Sequence, residues 1–249
     1  MKTLNDHFND EVEKINSLEG VNHQFLSINL TAINDIFGYI FSLNYLKNKA
    51  ETKNYFGSEF EITFSLLLES FYALITGQCR SALLLLRAAQ EANFKFVLEK
   101  ERGVMLNDNP TLEFKKLNFR FSETKTQFIK DLKKCLDENE FSEYYRSVER
   151  NLTLYNRLSV VSHSVSKSTP ITNVEYFSSL RNDTIMDKDK YFKLFHDVFD
   201  NIFLLNYFLI RESLIYWDSY NLQDLLRIMY GKKRTNSLIK IVKKDKISS

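Results

Sequence analysis

Glycine and proline are scarce in this chain, and that scarcity constrains its fold more than any other feature of the sequence. The 249 residues include only 6 glycines and 2 prolines. Both prolines, Pro110 and Pro170, lie between segments of regular apolar spacing. Few chain breakers together with abundant Leu, Phe, Lys and Glu favour helices over a sheet. The sequence therefore predicts an all-α fold.

Six segments carry apolar side chains at a helical spacing of 3.6 residues. Gly77 is a predicted stop between the second and third segments, Gly103–Thr111 a predicted loop, and Ser164–Lys188 a predicted ordered loop or partial lid. No internal repeat or domain boundary interrupts the pattern. We therefore expect one domain of mostly antiparallel helices over residues 1–230, with an N-terminal extension and a basic tail over 231–249. The predicted helices span residues 24–50, 58–75, 78–102, 122–136, 140–162 and 189–217.

The cysteines and the first residues indicate the compartment. Cys79 and Cys135 are isolated thiols, and Met1–His7 has no apolar signal core. Two unpaired thiols without a signal peptide are typical of a reduced cytoplasmic protein. No segment approaches the roughly 18 uninterrupted apolar residues of a membrane span. Nucleotide-binding loops, zinc-protease motifs and hydrolase elbows are also missing, so we expect no metal and no cofactor.

The net charge of +2 is unevenly distributed. Residues 231–249 carry seven Lys and Arg side chains against Asp245, a balance of +6, so the other 230 residues sum to −4. Such a tail binds phosphate backbones or acidic lipid surfaces, or it is a solvated terminus. A lysine-rich amphipathic helix around residues 125–134 adds a second basic segment.

Arg157 and His163 are the strongest candidates for chemistry. They lie six positions apart near the end of a predicted helix. A permanent cation and a side chain that titrates near neutral pH are the groups that metal-free RNA cleavage requires. Six positions correspond to about 600°, so the two side chains converge only if the helix ends or bends between them, or if two subunits combine. Ser159 and Ser162 favour such an ending, since their hydroxyls can bond to the backbone.

A second charged pair lies in the third predicted helix. Arg87 and Glu91 are one turn apart and can meet on one flank of that helix. Their pairing is read either as a structural clasp or as support for an active site. The other histidines, among them His196 on an aromatic helix, have no partner motif and are assigned structural or surface roles.

Three stretches of the chain resemble a known superfamily. Arg157 and His163 fit the R-x4-6-H signature of the HEPN superfamily of helical nucleotide-binding and ribonuclease domains. Residues 77–91 resemble the second core helix of uncharacterised bacterial HEPN-like proteins, and residues 155–163 their later motif helix. The resemblance covers about residues 58–215. The chain departs from many active members at Leu158, where they place a small polar residue.

The resemblance implies a helical bundle that forms a homodimer, with the two Arg/His motifs in one cleft. It implies metal-independent RNA cleavage in which His163 is the general acid/base and Arg157 binds the scissile phosphate. Supporting or substrate-binding roles are expected for Asn156, Ser159, Ser162, Arg87 and Glu91.

The superfamily also suggests a biological setting. Members recur in toxin–antitoxin and phage-defence systems, so an antitoxin or defence partner is expected. Two other interpretations remain open. In the first, the chain is a non-catalytic HEPN-like module that binds a protein or nucleic-acid partner. In the second, Arg157 and His163 only stabilise a helix C-terminus.

Overall fold

A computed structural model describes residues 2–116, 121–163 and 185–243, with side-chain positions for all of these except 121, 122, 125 and 161–163. The described residues form twelve helices and no strand, which confirms the predicted all-α fold. None of these helices is both long and apolar enough to cross a membrane. The helices are α1 Leu4–Asn16, α2 His23–Ile28, α3 Leu30–Asn48, α4 Lys53–Phe56, α5 Glu59–Ile75, α6 Cys79–Asp108, α7 Phe121–Leu132, α8 Ser142–His163, α9 Lys188–Leu209, α10 Arg211–Leu214, α11 Ser219–Arg227 and α12 Lys232–Lys243.

The centre of the fold is made by α6, α8 and α9, which pack against one another, while α5 packs on α6 and α3 on α9. Gly77, with a φ of 84°, makes the tight turn between α5 and α6 that its sequence position predicts. Hydrogen-bonded pairs give the helix directions. Tyr155 and Tyr144 of α8 meet Arg87 and Glu101 of α6, respectively, so α8 is antiparallel to α6. Arg157 and Ser147 of α8 meet Asp197 and Asn201 of α9, so α8 is antiparallel to α9 as well.

Polar side chains are buried inside this largely aromatic and aliphatic centre. Five carboxamides on α6, α8 and α9 are fully buried and hydrogen-bond across the helix interfaces. Asn206 donates to Asn93 at 2.7 Å, and Asn151 donates to Asn201 at 2.7 Å. Gln90 donates to the carbonyl of Asn151 at 2.9 Å. Each of these bonds satisfies one donor and one acceptor that would otherwise be costly in a core.

A buried ion pair joins α6 to α10. The Glu101 Oε1 atom accepts hydrogen bonds from Arg211 at 2.6 Å and from the Tyr144 hydroxyl at 2.7 Å. Glu101 is fully buried and Arg211 is 7% exposed. Burial, and then the Glu101 carboxylate, raise the pKa of Tyr144 well above its ordinary value. Each of the three groups depends on the others for compensation, so the cluster fixes the positions of α6, α8 and α10.

Several helix boundaries differ from the sequence prediction, among them the end of α7 at Leu132 where 136 was expected. The predicted helix 24–50 is broken at Asn29, whose side chain donates to the Phe25 carbonyl at 2.8 Å and ends α2. The predicted loop at 103–111 is wrong up to residue 108, because α6 continues through Gly103 to Asp108 with Met105 buried. The last long helix ends at Leu209, and α10 begins after Ile210.

Both ends of the described chain pack on the core. The N-terminal extension contains α1, capped by Thr3, and its Phe8 ring lies 5.8 Å from Phe37. Residues 232–243 of the segment predicted as a basic tail form α12, in which Leu238 and Val242 are buried. The rest of that tail, residues 244–249, lies outside the described residues, as does 164–184 of the predicted lid.

Candidate functional site

The helix α8 is unbroken from Ser142 to His163. The predicted ending or bend between Arg157 and His163 is therefore absent, and these two positions lie about 600° apart around one continuous helix. The alternative geometry, in which the residues of two subunits combine, stays a prediction, and the His163 side chain lies outside the described residues.

Arg157 is held by an acidic side chain of the neighbouring helix. Its guanidinium lies 3.3 Å from Asp197 on α9 and remains 40% exposed. Arg150, two turns earlier on α8, donates to Asp197 and to Asp200, both at 2.7 Å. The second oxygen of Asp200 accepts from the Tyr230 hydroxyl at 2.7 Å. Two carboxylates of α9 therefore orient two arginines of α8, leaving part of each guanidinium accessible to solvent.

A histidine and a tyrosine extend this network toward α3. The Tyr39 hydroxyl lies 3.1 Å from Nε2 of His196, and their rings meet edge to face at 5.3 Å. The Tyr39 ring also contacts Tyr230 at 6.0 Å. Burial, and then the nearby Asp200 carboxylate, raise the pKa of Tyr39. His196 thus has the structural role that the sequence assigned to it, as a partner of a buried phenol.

Three arginines of α8 share one helix face. Arg146, Arg150 and Arg157 are four and seven positions apart, which brings them within about 40° of one another around the axis. Their side chains are 72%, 37% and 40% exposed, respectively. Eleven positions of rise place the outer two about 16 Å apart. A row of partly exposed guanidinium groups is suited to anions such as phosphate, which their planar forks can grip in bidentate fashion.

Arg87 and Glu91 belong to α6, and Arg87 contacts a different side of α8 from the one that carries Arg157. The Arg87 Nε atom is 3.6 Å from Glu91, and its guanidinium donates to the Tyr155 hydroxyl at 2.7 Å. The Arg87 guanidinium also stacks over the Tyr155 ring at 4.8 Å. Positions 155 and 157 are about 200° apart on α8, so this pair is turned away from Arg157. The fold of one chain does not bring these predicted supporting residues together with Arg157.

The remaining candidates lie close to Arg157 in sequence. Asn156 is exposed, and the hydroxyl of Ser159 donates to the Tyr155 carbonyl at 2.8 Å within the helix. The side chain of Ser162 lies outside the described residues. Leu158 is fully buried, which explains why an apolar residue follows Arg157. Core packing demands it there.

Sequence reasoning missed Asp197, Asp200 and Tyr230, which hold the arginines. The available signal was the polar run His196, Asp197 and Asp200 inside an aromatic helix, since acids at such positions need partners. Among the described residues, no group of three or more His, Cys, Asp or Glu side chains is arranged to hold a metal ion.

Comparison with known proteins leaves the site to be interpreted from its own chemistry. No family model, curated protein or solved structure matches this chain.

Proposed function

We propose that the protein is a metal-independent endoribonuclease of the HEPN type, in which Arg157 binds the scissile phosphate and His163 transfers protons. One observation carries this proposal. The Arg157 guanidinium is oriented by Asp197, remains 40% exposed, and lies in the final turns of the helix that ends at His163. An arginine that only clasped two helices would not need to share its face with two other accessible arginines.

The proposed chemistry needs no group beyond the RNA and these two side chains. Neutral His163 accepts the proton of the 2′-hydroxyl, and the 2′-oxygen attacks the adjacent phosphorus. The bond from phosphorus to the 5′-oxygen breaks, that oxygen takes up a proton, and a 2′,3′-cyclic phosphate remains. Arg157 stabilises the negative charge that develops on the phosphoryl oxygens with its permanently charged, planar fork.

A homodimer resolves the separation of the two positions around α8. In this arrangement Arg157 of one subunit and His163 of the other face the same phosphate, which a single unbroken helix does not allow. By the superfamily resemblance, the enzyme acts as a toxin or phage-defence effector restrained by an antitoxin or defence partner. This biological assignment is an analogy.

The test measures cleavage of total cellular RNA by purified protein. His163→Ala removes the proton-transfer group, which typically contributes about 10²–10⁴-fold, and Arg157→Lys keeps the charge but loses the bidentate grip. Both variants are expected to lose cleavage, and EDTA is expected to have no effect. His7→Ala, on the exposed face of α1, and Arg227→Lys, exposed on α11, are the matched controls and should cleave like wild type.

A non-catalytic interaction module is the second candidate. It is favoured by apolar side chains that the α5–α6 hairpin leaves in solvent, among them Ile62 at 64%, Leu68 at 44% and Leu84 at 45% exposure. Exposed large apolar side chains are a feature of surfaces that bind partners. If this candidate holds, RNA stays intact, and His163→Ala and Arg157→Lys behave as wild type in cells. That result would refute the nuclease proposal.

A further inference from the structure

The helix α12 is the most basic element that the structure describes. Its twelve residues contain Lys232, Lys233, Arg234, Lys240 and Lys243 and no acidic side chain. Thr235, Leu238 and Val242 are buried against the neighbouring helices. The exposed positions of the helix are Lys232, Lys233, Asn236, Ser237 and Lys240. One face of α12 is therefore anchored in the core, and the opposite face is entirely cationic or neutral polar.

Direct contacts join α12 to the arginine row of α8. Arg234 donates to Glu143 at 2.5 Å, and the same carboxylate lies 3.5 Å from Arg146. A second route runs from the Arg234 guanidinium, 5.9 Å from the Tyr230 ring, to Asp200 and Arg150. The lysines of α12 and the arginines of α8 therefore belong to one continuous surface. We call it the basic surface and define it by Arg146, Arg150, Arg157, Lys232, Lys233 and Lys240.

Stability does not explain the lysines at the start of α12. The N-terminus of a helix carries partial positive charge, so cations in the first turn are unfavourable there. Within the described part of the chain, no carboxylate lies within 4.0 Å of Lys232 or Lys233 to offset this. Lys133 and Lys134, which directly follow α7, differ from these lysines, because Lys133 pairs with Glu138 at 2.7 Å and Lys134 lies 4.0 Å from Asp131. Unpaired cations held against a helix dipole indicate an external anion.

The anion that fits is an extended chain that carries phosphate groups at regular intervals. Lys232 and Lys240 are eight positions apart, about 12 Å, and the arginine row of α8 spans about 16 Å. Spacings of this kind match several successive phosphates of a nucleic-acid strand. An acidic membrane is a poorer fit, because a helix that binds an interface exposes an apolar face, whereas Leu238 and Val242 of α12 point into the core.

We propose that the basic surface is a docking site for the sugar–phosphate backbone of RNA. The inference deepens the proposed function, since it gives the substrate a path from α12 to Arg157. Binding does not depend on cleavage, however, and the two are measured separately. The acids Asp197, Asp200 and Glu143 hold the guanidinium groups of the arginines in place. The anionic oxygens of a phosphate can therefore contact these guanidinium groups without the cost of first ordering the arginine side chains.

The experiment measures fluorescence anisotropy of a labelled single-stranded RNA of about 20 nucleotides. The full-length chain carries His163→Ala throughout, so that the probe stays intact. The test variant adds Lys232→Glu and Lys233→Glu, and the matched control adds Lys115→Glu and Lys116→Glu, an exposed pair with the same change in charge. The test variant is expected to bind at least about tenfold more weakly, with a shallower dependence on salt between about 50 and 200 mM.

Folding is monitored in parallel by circular dichroism and thermal unfolding. Because glutamates in the first turn complement the helix dipole, the test variant is expected to unfold at the same or a higher temperature than its parent. A loss of binding without a loss of stability supports docking at α12. Equal weakening in both variants, or in neither, would overturn the proposal, because the effect would then be general or absent.

Two further experiments distinguish RNA docking from membrane binding and from the nuclease proposal. Vesicles of phosphatidylcholine and phosphatidylserine are tested in sedimentation. Binding to vesicles but not to RNA would overturn the proposal in favour of a membrane surface. Wild-type protein is tested for cleavage in its own assay. If it cuts no RNA but Lys232→Glu/Lys233→Glu still abolishes binding, docking stands and the nuclease proposal fails.

Discussion

The Arg157 guanidinium lies 3.3 Å from the Asp197 carboxylate, which at the same time binds Arg150 at 2.7 Å. One acid of α9 thus orients two cations of α8. The direction of Arg157 is therefore set by the neighbouring helix, and Asp197 is a positioning residue for whatever anion the arginines bind.

Replacing Asp197 by Asn is expected to loosen both arginines. The side chain keeps its shape but loses the charge that holds two guanidinium groups, which costs about 1–2 kcal/mol of stability. Under the proposed function, cleavage falls by about 10–100-fold, because a misplaced catalytic group loses most of its effect. Thermal unfolding and the separate values of kcat and KM check the two parts. Asp197→Glu should restore part of the rate. Asp224→Asn, exposed on α11, is the control and should leave both quantities unchanged.

The buried pair of Glu101 and Arg211 gives a prediction that is independent of function. Glu101→Gln leaves the Arg211 charge buried without compensation and should destabilise the fold by about 3–5 kcal/mol in urea unfolding. The double variant Glu101→Leu/Arg211→Met removes both charges and should recover part of this loss, since the buried Tyr144 hydroxyl then loses its acceptor. Glu138→Gln breaks an exposed pair with Lys133 and should change stability by about 0.5 kcal/mol or less. A double variant as unstable as the single one would contradict the explanation.

Gly103 gives a stabilising substitution. It lies inside α6, and a Cβ atom added there would meet nothing within 4 Å. Gly103→Ala should therefore raise stability by up to about 1 kcal/mol, or about 2–4 °C in Tm for a chain of this length. Gly57→Ala should do the reverse, because Gly57 has a φ of 49° and its added Cβ would lie 2.7 Å from Glu59. Differential scanning calorimetry of the two variants should show opposite shifts.

High pH is expected to unfold the protein through its buried tyrosines. Burial, and then Glu138 and Asp137, raise the pKa of Tyr145 from its ordinary 10.0 to about 12. The phenol stays protonated in the folded state while the unfolded chain loses its proton. This stability is therefore fully present below pH 10 and is lost as the pH rises toward 12. Circular dichroism and tyrosinate absorbance, followed together, should show helix loss in this window.

Tyr145→Phe is the control for the alkaline transition. It removes one of the groups that titrate late and should make the loss of stability between pH 10 and 12 shallower. Titration of all tyrosines near pH 10 with helix content intact would contradict the prediction.

Much of the fold could be predicted because it depends on local signals. The α5–α6 turn follows from Gly77, and the long apolar stripes locate α5, α8 and the start of α9 to within two residues. The break at Asn29 could not be predicted from periodicity, because it depends on a side-chain bond to the Phe25 carbonyl. The helix α12 was not predicted, because the high positive charge of residues 231–249 indicated a tail. The helical spacing of Leu238 and Val242 was nevertheless present in the sequence.

The candidate site was predictable only in part. Spacing singled out Arg157 and His163, and the contact of Arg87 with Glu91 follows from their one-turn separation. The partners of Arg157 were not predictable, because Asp197 and Asp200 lie on another helix about forty positions away and meet α8 only through tertiary packing.

The buried carboxamides give the helix centre a fixed register. An apolar seam between α6 and α9 can repack after sliding by one helical turn, about 5.4 Å, at modest cost. The bond between Asn93 and Asn206 cannot follow such a slide, since the Asn93 amide oxygen would then be buried without a donor. Apolar neighbours are therefore free to drift among Leu, Ile and Met through evolution, whereas these few amides are not. Distant descendants of this fold should be recognisable by five carboxamides long after their overall sequence likeness has faded.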